Sequence, residues 1–244
     1  MVDIGNFQEL RKKNIKVAKE KVKNSVSKDL MIINAINNIE ELDKTINVFS
    51  GRLREWHALT DPEMCKRVED NEVFITEVLQ AVGGGSEMGA KLDEDDETAI
   101  KALAATANAL IQTKTFLLLY LEKTMDLYCK NVLVLAGPTI GAKLLREAGS
   151  LKRLASLQSS TVQLLGAEKA LFRHIKTGAR SPKYGHIINH QIIASAAHAD
   201  KGKAARSLAD KLSMAARVDY FKGEFIADKF LKELTEKFCK KEKK

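Results

Sequence analysis

From Ile32 to Trp56 the apolar residues return with a rhythm that only a helix satisfies. Ile32, Ile36, Ile39, Leu42, Ile46, Phe49, Leu53 and Trp56 are separated by 4, 3, 3, 4, 3, 4 and 3 residues. At 3.6 residues per turn these steps keep one stripe on one helix face. Ile15, Ala18, Val22 and Val26 carry a weaker version upstream, so residues 8–59 read as one long helix. A helix this long cannot bury its own stripe and needs a partner. Ile100, Leu103, Ala107, Leu110, Leu117, Leu121 and Met125 supply one, interrupted by Lys114. Between the two lie Asp61-Pro62, a helical piece around Val68 to Val82, Gly83-Gly84-Gly85 and the acids Asp93-Glu94-Asp95-Asp96-Glu97. An acidic cluster at a helix start suits the positive end of the helix dipole. Residues 8–130 therefore read as an antiparallel helical hairpin with an irregular tip. The stripe suits a coiled coil, and also an ordinary bundle core.

Beyond Gly137-Pro138 the texture changes to shorter helices separated by glycine-bearing loops, with proline at a favoured first helical position. Ser150 is placed to cap a helix running to Leu157. Ser160 with Gln163 has the spacing of a capping box. Thr177 to Gly185 reads as a loop, and Asp200 as the cap of a helix whose inner face is Ala205, Leu208, Leu212 and Ala215. Arg217 is expected to brace its helix through Asp219 or Asp210. Phe225 to Phe238 is amphipathic and leads into the basic run Lys240-Lys241-Glu242-Lys243-Lys244. No stretch alternates as a strand does; Ile187-Ile188 and Ile192-Ile193 are too brief for a sheet. Three prolines in 244 residues and 6% aromatics agree with an all-α chain.

Cys65, Cys129 and Cys239 are few and widely spaced, which predicts a reduced, intracellular protein without a disulfide framework. Met1 to Gly5 has no apolar signal core, and the longest apolar run, Phe116 to Leu121, is too short to span a bilayer. The net charge of +8 conceals a split. Residues 1–142 carry 18 Lys/Arg against 22 Asp/Glu, net −4, and residues 143–244 carry 22 against 10, net +12. Within the basic part, residues 169–199 contain no acid at all, yet hold Lys169, Arg173, Lys176, Arg180, Lys183 and four histidines, His174, His186, His190 and His198. Such a surface suits a polyanion.

Catalysis finds little support. His186 and His190 are four apart, a spacing that lets two helical histidines share a metal, but Pro182 and Gly185 precede them and no HExxH is present. No paired acids, legible Ser–His–Asp set, GxGxxG or phosphate-binding P-loop occurs. The expectation is a protein with no catalytic residues, no metal and no cofactor.

Several ordered motifs resemble the Nop-domain family. Gly166-Ala167-Glu168-Lys169-Ala170-Leu171-Phe172, Pro182-Lys183-Tyr184-Gly185, Gly202-Lys203-Ala204-Ala205-Arg206 and Ala215-Ala216-Arg217-Val218-Asp219 are similar to its signature. Leu42-Asp43-Lys44-Thr45 and Arg52-Leu53-Arg54-Glu55-Trp56 resemble its coiled-coil helix, and Ala136-Gly137-Pro138 to Ala148-Gly149-Ser150 its join to the Nop domain. The match runs from about residue 28 to 222 and its style is closest to archaeal members.

The resemblance implies a coiled-coil hairpin over 1–132, a compact helical Nop domain over 133–224, and a C-terminal helix with a basic tail over 225–244. It implies a core protein of box C/D ribonucleoproteins, which direct ribose methylation of RNA. A related branch serves in pre-mRNA splicing and stays open as a reading, as does a coiled-coil adaptor without RNA contact. The implied partners are a kink-turn RNA and a small kink-turn-binding protein of the ribosomal type, read as one composite surface. A homo- or heterodimer through the coiled coil is also implied. The long helix begins close to Met1, so the expectation is that the α/β domain that docks fibrillarin in full-length archaeal members is missing, and fibrillarin is expected only indirectly. The expected location is the cytoplasm of an archaeal cell, or the nucleus of a eukaryotic one.

Phosphate recognition needs fixed cations. Lys169, Arg173 and Lys176 share a helix face by their spacing of 4 and 3. Lys183 sits in a Pro/Gly loop, and Lys203 and Arg206 lie near a helix start. With His174 and Arg180 these are the expected RNA-binding residues. Ala167, Ala170, Tyr184 and His186 are the expected contacts to the partner protein, the small alanines permitting close approach.

Overall fold

A computed structural model describes residues 4–80 and 88–238, the side chains of residues 4–6 and 24 excepted. The chain forms two compact units, one made of Ala35–Lys123 and the other of Met1–Asn34 with Thr124–Lys244. Among the described residues every regular element is helical.

The expected first helix is two, α1 (Ile4–Ser25) and α2 (Lys28–His57). The break falls at Val26-Ser27. Serines compete for backbone partners, and the Ser25 hydroxyl donates to the Val22 carbonyl at 2.7 Å, closing the last turn of α1. The chain continues through α3 (Pro62–Arg67), α4 (Asn71–Gln80) and α5 (Glu94–Tyr128). Val68 ends α3 rather than beginning the next helix, and the Gly83-Gly84-Gly85 turn lies outside the described residues.

Within the Ala35–Lys123 unit, α2 and α5 are the two arms of the antiparallel hairpin. Lys114 Nζ lies 2.9 Å from Asp43 Oδ1 and 3.2 Å from Glu72 Oε1. Farther along, Leu53 joins Ala104 and Ala107 in a cluster that also holds Met64, Phe74, Ile75 and Ile100. The stripe is buried at Ile36, Ile39, Ile46 and Leu53, whereas Trp56 is 38% exposed and His57 takes the inward place. Lys114, which interrupts the second stripe, is the charge that joins three elements; its hydrogen bond to Asp43 is the main reason its pKa is raised. Arg54 organises the tip. Its guanidinium donates to the carbonyls of Cys65, Val68, Glu69 and Asp70 and lies 4.2 Å from the centre of the Phe74 ring. It thereby satisfies carbonyls that the short α3 leaves open. By length and composition α5 is a described helix that could cross a membrane, with 11% of its most apolar window buried; Ile100, Ala104 and Ala107 pack in this hairpin cluster.

The second unit adds α6 (Lys130–Ala136), α7 (Pro138–Ala148), α8 (Leu151–Ser156), α9 (Ser159–Leu164) and α10 (Glu168–Thr177). A single 3-10 turn, His186–Asn189, precedes α11 (Gln191–Ser195), α12 (Lys201–Tyr220) and α13 (Ala227–Phe238). α12 is the central rod, against which α6, α8, α9, α11 and α13 pack. Its inner face, Ala204, Ala205, Leu208, Leu212, Ala215 and Ala216, is fully buried or nearly so; the alanines let neighbouring backbones approach. Asn131 and Asp219 clamp its far end. The Asp219 carboxylate accepts from the Asn131 and Val132 N–H groups and from Asn131 Nδ2, at 2.8 to 3.1 Å. Asn131 Oδ1 accepts the Ile226 and Ala227 N–H groups at 2.8 and 3.0 Å, satisfying open donors at the start of α13.

Three local expectations are corrected. Ser160 does not cap α9: the helix starts one residue earlier behind Gln158, and the Gln163 amide is drawn instead to the Lys183 carbonyl. Asp200 stands at the start of α12 in helical backbone, so its carboxylate does not cap but pairs with Lys203. Arg217 is structural, yet it donates to the Ala155 carbonyl rather than to Asp219 or Asp210. Ser150 does cap α8, accepting from the Arg153 N–H. Cys65 and Cys129 are free thiols; Cys239 and the basic run Lys240–Lys244 lie outside the described residues.

Candidate nucleic-acid interface

The Pro182–Gly185 motif meets the residues leading into the Gly166 motif at the exit of α9. The Gly185 N–H donates to the Gln163 carbonyl and the His186 N–H to the Leu165 carbonyl, both at 2.8 Å. Gln163 Nε2 closes the third bond, to the Lys183 carbonyl at 2.8 Å. The Pro182–Gly185 loop is thus fastened along its backbone. Both glycines are required by the crossing. A Cβ on Gly185 would fall 1.8 Å from the Leu165 carbonyl oxygen. Gly166 has φ +88, and a Cβ there would fall 2.4 Å from His186 Nε2.

This clasp holds Lys183 in the same cleft as Arg206 of α12. Lys183 and Tyr184 from the loop, Gln163 from α9, and His198 and Arg206 from around the start of α12 line one open cleft of about 510 Å³. The Lys183 and Arg206 side chains are exposed, so the cleft offers a lysine charge and an arginine fork to an anion. Lys203, one turn before Arg206, is exposed and ion-paired to Asp200 at 3.0 Å, which leaves Arg206 the less encumbered of the pair.

α10 carries the other group. No residue of this helix is buried. At 100° per residue Lys169, Arg173 and Lys176 fall within an arc of roughly 60°, all exposed. Arg180 follows on the exposed loop. None of Lys169, Arg173, Lys176, Arg180 and Lys183 is ion-paired to another described residue. Beside the cation arc lies an apolar one, with Phe172 at 62% and Ile175 at 69% exposure. The two lie three residues apart on one helix and so form a small contiguous apolar patch. Neither stood among the expected contacts, although an apolar pair three apart on so basic a helix was a readable signal. His198, in the cleft, was also passed over.

The remaining expected residues face inward or sideways. Ala170 and His174 are half-buried on the side of α10 away from the cations. His174 Nδ1 is bonded to the Ala179 carbonyl, which ties down the turn after α10. Ala167 precedes α10 as its half-buried N-cap residue. His186 is half-buried, its Nε2 3.1 Å from Glu147 Oε1. Burial works to raise the Glu147 carboxyl, but hydrogen bonds from His186 and Arg146 outweigh it and hold the pKa below the ordinary value. His190 belongs to the core: Nε2 faces the Leu135 carbonyl at 2.9 Å and Nδ1 accepts the Ile192 N–H. Burial lowers its pKa, the Leu135 carbonyl opposing. The two histidines therefore serve different partners, and among the described residues no group of His, Cys, Asp and Glu is placed to hold a metal.

Residues 75–242 match the model of the Nop family, described as a snoRNA binding domain, fibrillarin. An uncharacterized NOP5 family protein of Methanocaldococcus jannaschii is 37% identical over 261 residues, covering 95% of this chain and 63% of that protein. Nucleolar protein 56 of Bos taurus is 38% identical over 234 residues, 84% of this chain and 39% of its own length. The chain thus spans less than two thirds of these curated relatives. Among solved structures, a chain of a fibrillarin/Nop5p complex aligns with a TM-score of 0.58 at 26% identity, covering 95% of this chain and 77% of that one.

Proposed function

This chain belongs to the Nop family, and from that premise we propose that it is a non-catalytic scaffold of a box C/D-type ribonucleoprotein. In this reading residues 133–224 form the module that binds a kink-turn RNA together with a small kink-turn-binding protein. The observation that carries it is the gathering of unpaired cations on one acid-free segment, with Lys183 and Arg206 sharing a cleft. Lys169, Arg173, Lys176 and Arg180 would meet phosphates along a second line. A-form RNA presents its phosphates and 2′-hydroxyls more readily than its base edges, and a surface of this kind suits recognition by shape. The apolar arc of Phe172 and Ile175 supports a composite target: it offers nothing to a phosphate and much to a protein surface. Ala167, Ala170, Tyr184 and His186 would back that contact, chiefly by holding α10 and the 182–186 loop in place.

The hairpin, residues 1–132 in this reading, would join a second core protein. Phe116 and Leu119 of α5 are 67% and 62% exposed, an apolar face that pairing in a coiled coil would cover. The residues 225–244 would brace the module. The solved relative is complexed with fibrillarin, and fibrillarin would be recruited to this chain's assembly through such a paired partner. The relatives named nucleolar proteins favour the box C/D reading over the splicing branch. The assembly would work in the nucleolus of a nucleated cell and in the cytoplasm of an archaeal one.

The test is binding to a kink-turn RNA over a range of salt, with and without the small partner protein. Replacing Lys169, Arg173 and Lys183 together by Ala is expected to weaken binding and to reduce the slope of log K against log salt by about 2, near 0.7–0.9 for each phosphate that no longer meets a cation. A triple variant with the parent's affinity and slope would refute the assignment.

A further inference from the structure

α1 is a helix of 22 residues, and every side chain from Phe7 to Lys23 is exposed. It carries Arg11, Lys12, Lys13, Lys16, Lys19, Lys21 and Lys23 against only Glu9 and Glu20. Four of these cations, Lys12, Lys16, Lys19 and Lys23, are spaced 4, 3 and 4 apart. At 100° per residue they fall within an arc of roughly 60° and extend over about 16 Å of helix. None is ion-paired to a described residue. Like charges three and four apart repel one another along a helix, so the ladder opposes the element that displays it. An anion lying along the ladder reverses the sign of that interaction.

We propose that this lysine ladder is a second RNA-backbone contact, separate from the Nop module. The inference rests on the ribonucleoprotein reading above and adds a surface that neither the acid-free segment nor the motifs include. Charge complementarity selects the occupant. The unit that contains α1, Met1–Asn34 with Thr124–Lys244, carries 31 Lys/Arg against 15 Asp/Glu, net +16, whereas Ala35–Lys123 carries 9 against 17, net −8. A polyanion already bound to the basic unit brings further phosphates within reach of its other cations. A membrane surface fits less well. The flank of α1 beside the ladder bears Phe7, Ile15, Ala18 and Val22, but Arg11 falls in the middle of that arc and breaks the apolar face a lipid interface would take up. A second copy of α1 would set one lysine-rich helix against another.

The experiment uses the full chain with the small kink-turn-binding protein and a kink-turn RNA carrying an extended stem. Lys12, Lys16, Lys19 and Lys23 are replaced together by Gln, which keeps helix propensity and removes charge, and in a second variant by Arg, which keeps charge. The Gln variant is expected to bind with a salt slope shallower by roughly 3. The Arg variant should keep the parent's slope. Circular dichroism should show helix content rising on RNA addition in the parent and the Arg variant more than in the Gln variant. A Gln variant that keeps the parent's slope overturns the ladder and leaves the module intact. The same variant losing flotation with phosphatidylserine vesicles, or losing self-association, while its RNA binding is unchanged, overturns it in favour of a lipid or a second copy. A parent that binds no kink-turn RNA under any salt fails the ribonucleoprotein reading itself, and the ladder with it.

Discussion

Gly166 and His186 belong to different motifs, and the fold makes each depend on the other. Gly166→Ala places a Cβ 2.4 Å from His186 Nε2 and at similar distances from two further ring atoms. Two effects add. The backbone at φ +88 disfavours any L side chain, a cost of about 1–2 kcal/mol for residues forced into the left-handed region. The ring must also move, which breaks its 3.1 Å bond to Glu147. A hydrogen bond of this kind contributes about 0.5–1.5 kcal/mol, with the exposure of both side chains holding it toward the lower end. The single substitution should therefore cost about 2–3 kcal/mol in urea denaturation followed by circular dichroism, with an unchanged dependence on urea. Removing the ring separates the terms. In a His186→Ala background the clash has no partner, and Gly166→Ala should cost only the backbone part. The double-mutant cycle should then show a coupling of about 1 kcal/mol, above the roughly 0.3–0.5 kcal/mol scatter of independent sites. Additivity within that scatter would refute the claim that the ring dictates the glycine.

Other expectations follow from the same kind of accounting. Asn131→Ala leaves the Ile226 and Ala227 N–H groups without their acceptor and should destabilise the helical module by about 2–6 kcal/mol, at about 1–3 per orphaned donor; a loss below about 1 kcal/mol in urea denaturation counts against the clamp. Asn131→Asp sets two carboxylates together at Asp219, so its penalty should shrink as pH is lowered and one of them takes a proton. The Glu147 carboxyl is held below its ordinary value of 4.5. It thus contributes stability that is present above the unfolded-state pKa and lost as pH falls through the lower folded value. Thermal melting of Glu147→Gln should accordingly show a smaller loss between pH 5 and pH 3 than the parent. Lys114→Met removes the charge between Asp43 and Glu72; both acids are about half exposed, so the hairpin should lose only about 1 kcal/mol at low salt, and less at 1 M salt. A salt-independent loss would mean that packing rather than charge is responsible.

Periodicity revealed the hairpin because burial of a stripe is a local demand repeated many times, and Ile36, Ile39, Ile46 and Leu53 answer it. Its ends were less legible. The difference between Trp56 and His57 is one residue of drift at a helix terminus, where a tip rather than a partner helix decides what is covered. Lys114 appeared in the sequence as an interruption, since its two carboxylates lie 71 and 42 residues away in the chain. The glycines of the two motifs were visible as letters, but the reason for them was not: Gly185 is needed where its backbone crosses that of Leu165, and Gly166 where the His186 ring lies against a left-handed turn. Gln163 misled for a related reason, its amide choosing a distant carbonyl over a local cap. The cations of α10 were readable from spacing alone, because a helix carries its own coordinate system. That Lys183 and Arg206 share a cleft required the packing of α9 against α12.

Several acids of the basic unit are engaged by its own fold rather than by the cations of the acid-free segment. Asp29 accepts the Leu151 N–H and the Tyr128 hydroxyl. Asp219 holds the start of α6. Glu147 is taken by Arg146 and His186, Glu168 by the Gly166 N–H, Asp200 by Lys203 and Glu233 by Lys211. Of these, Asp29, Asp219 and Glu168 satisfy backbone or hydroxyl donors without engaging any cation, so they hold structure together while leaving Lys169, Arg173, Lys176, Arg180 and Lys183 uncompensated at short range. Free cations crowded on one surface repel each other and weaken the fold that carries them. An external anion meeting those cations would restore the balance, as the proposed RNA contact requires. Of the acids named, Asp29, Asp219 and Glu168 are thus given to backbone, amide or hydroxyl donors, and Glu147, Asp200 and Glu233 pair with Arg146, Lys203 and Lys211, so that none of them answers the five cations of the acid-free segment.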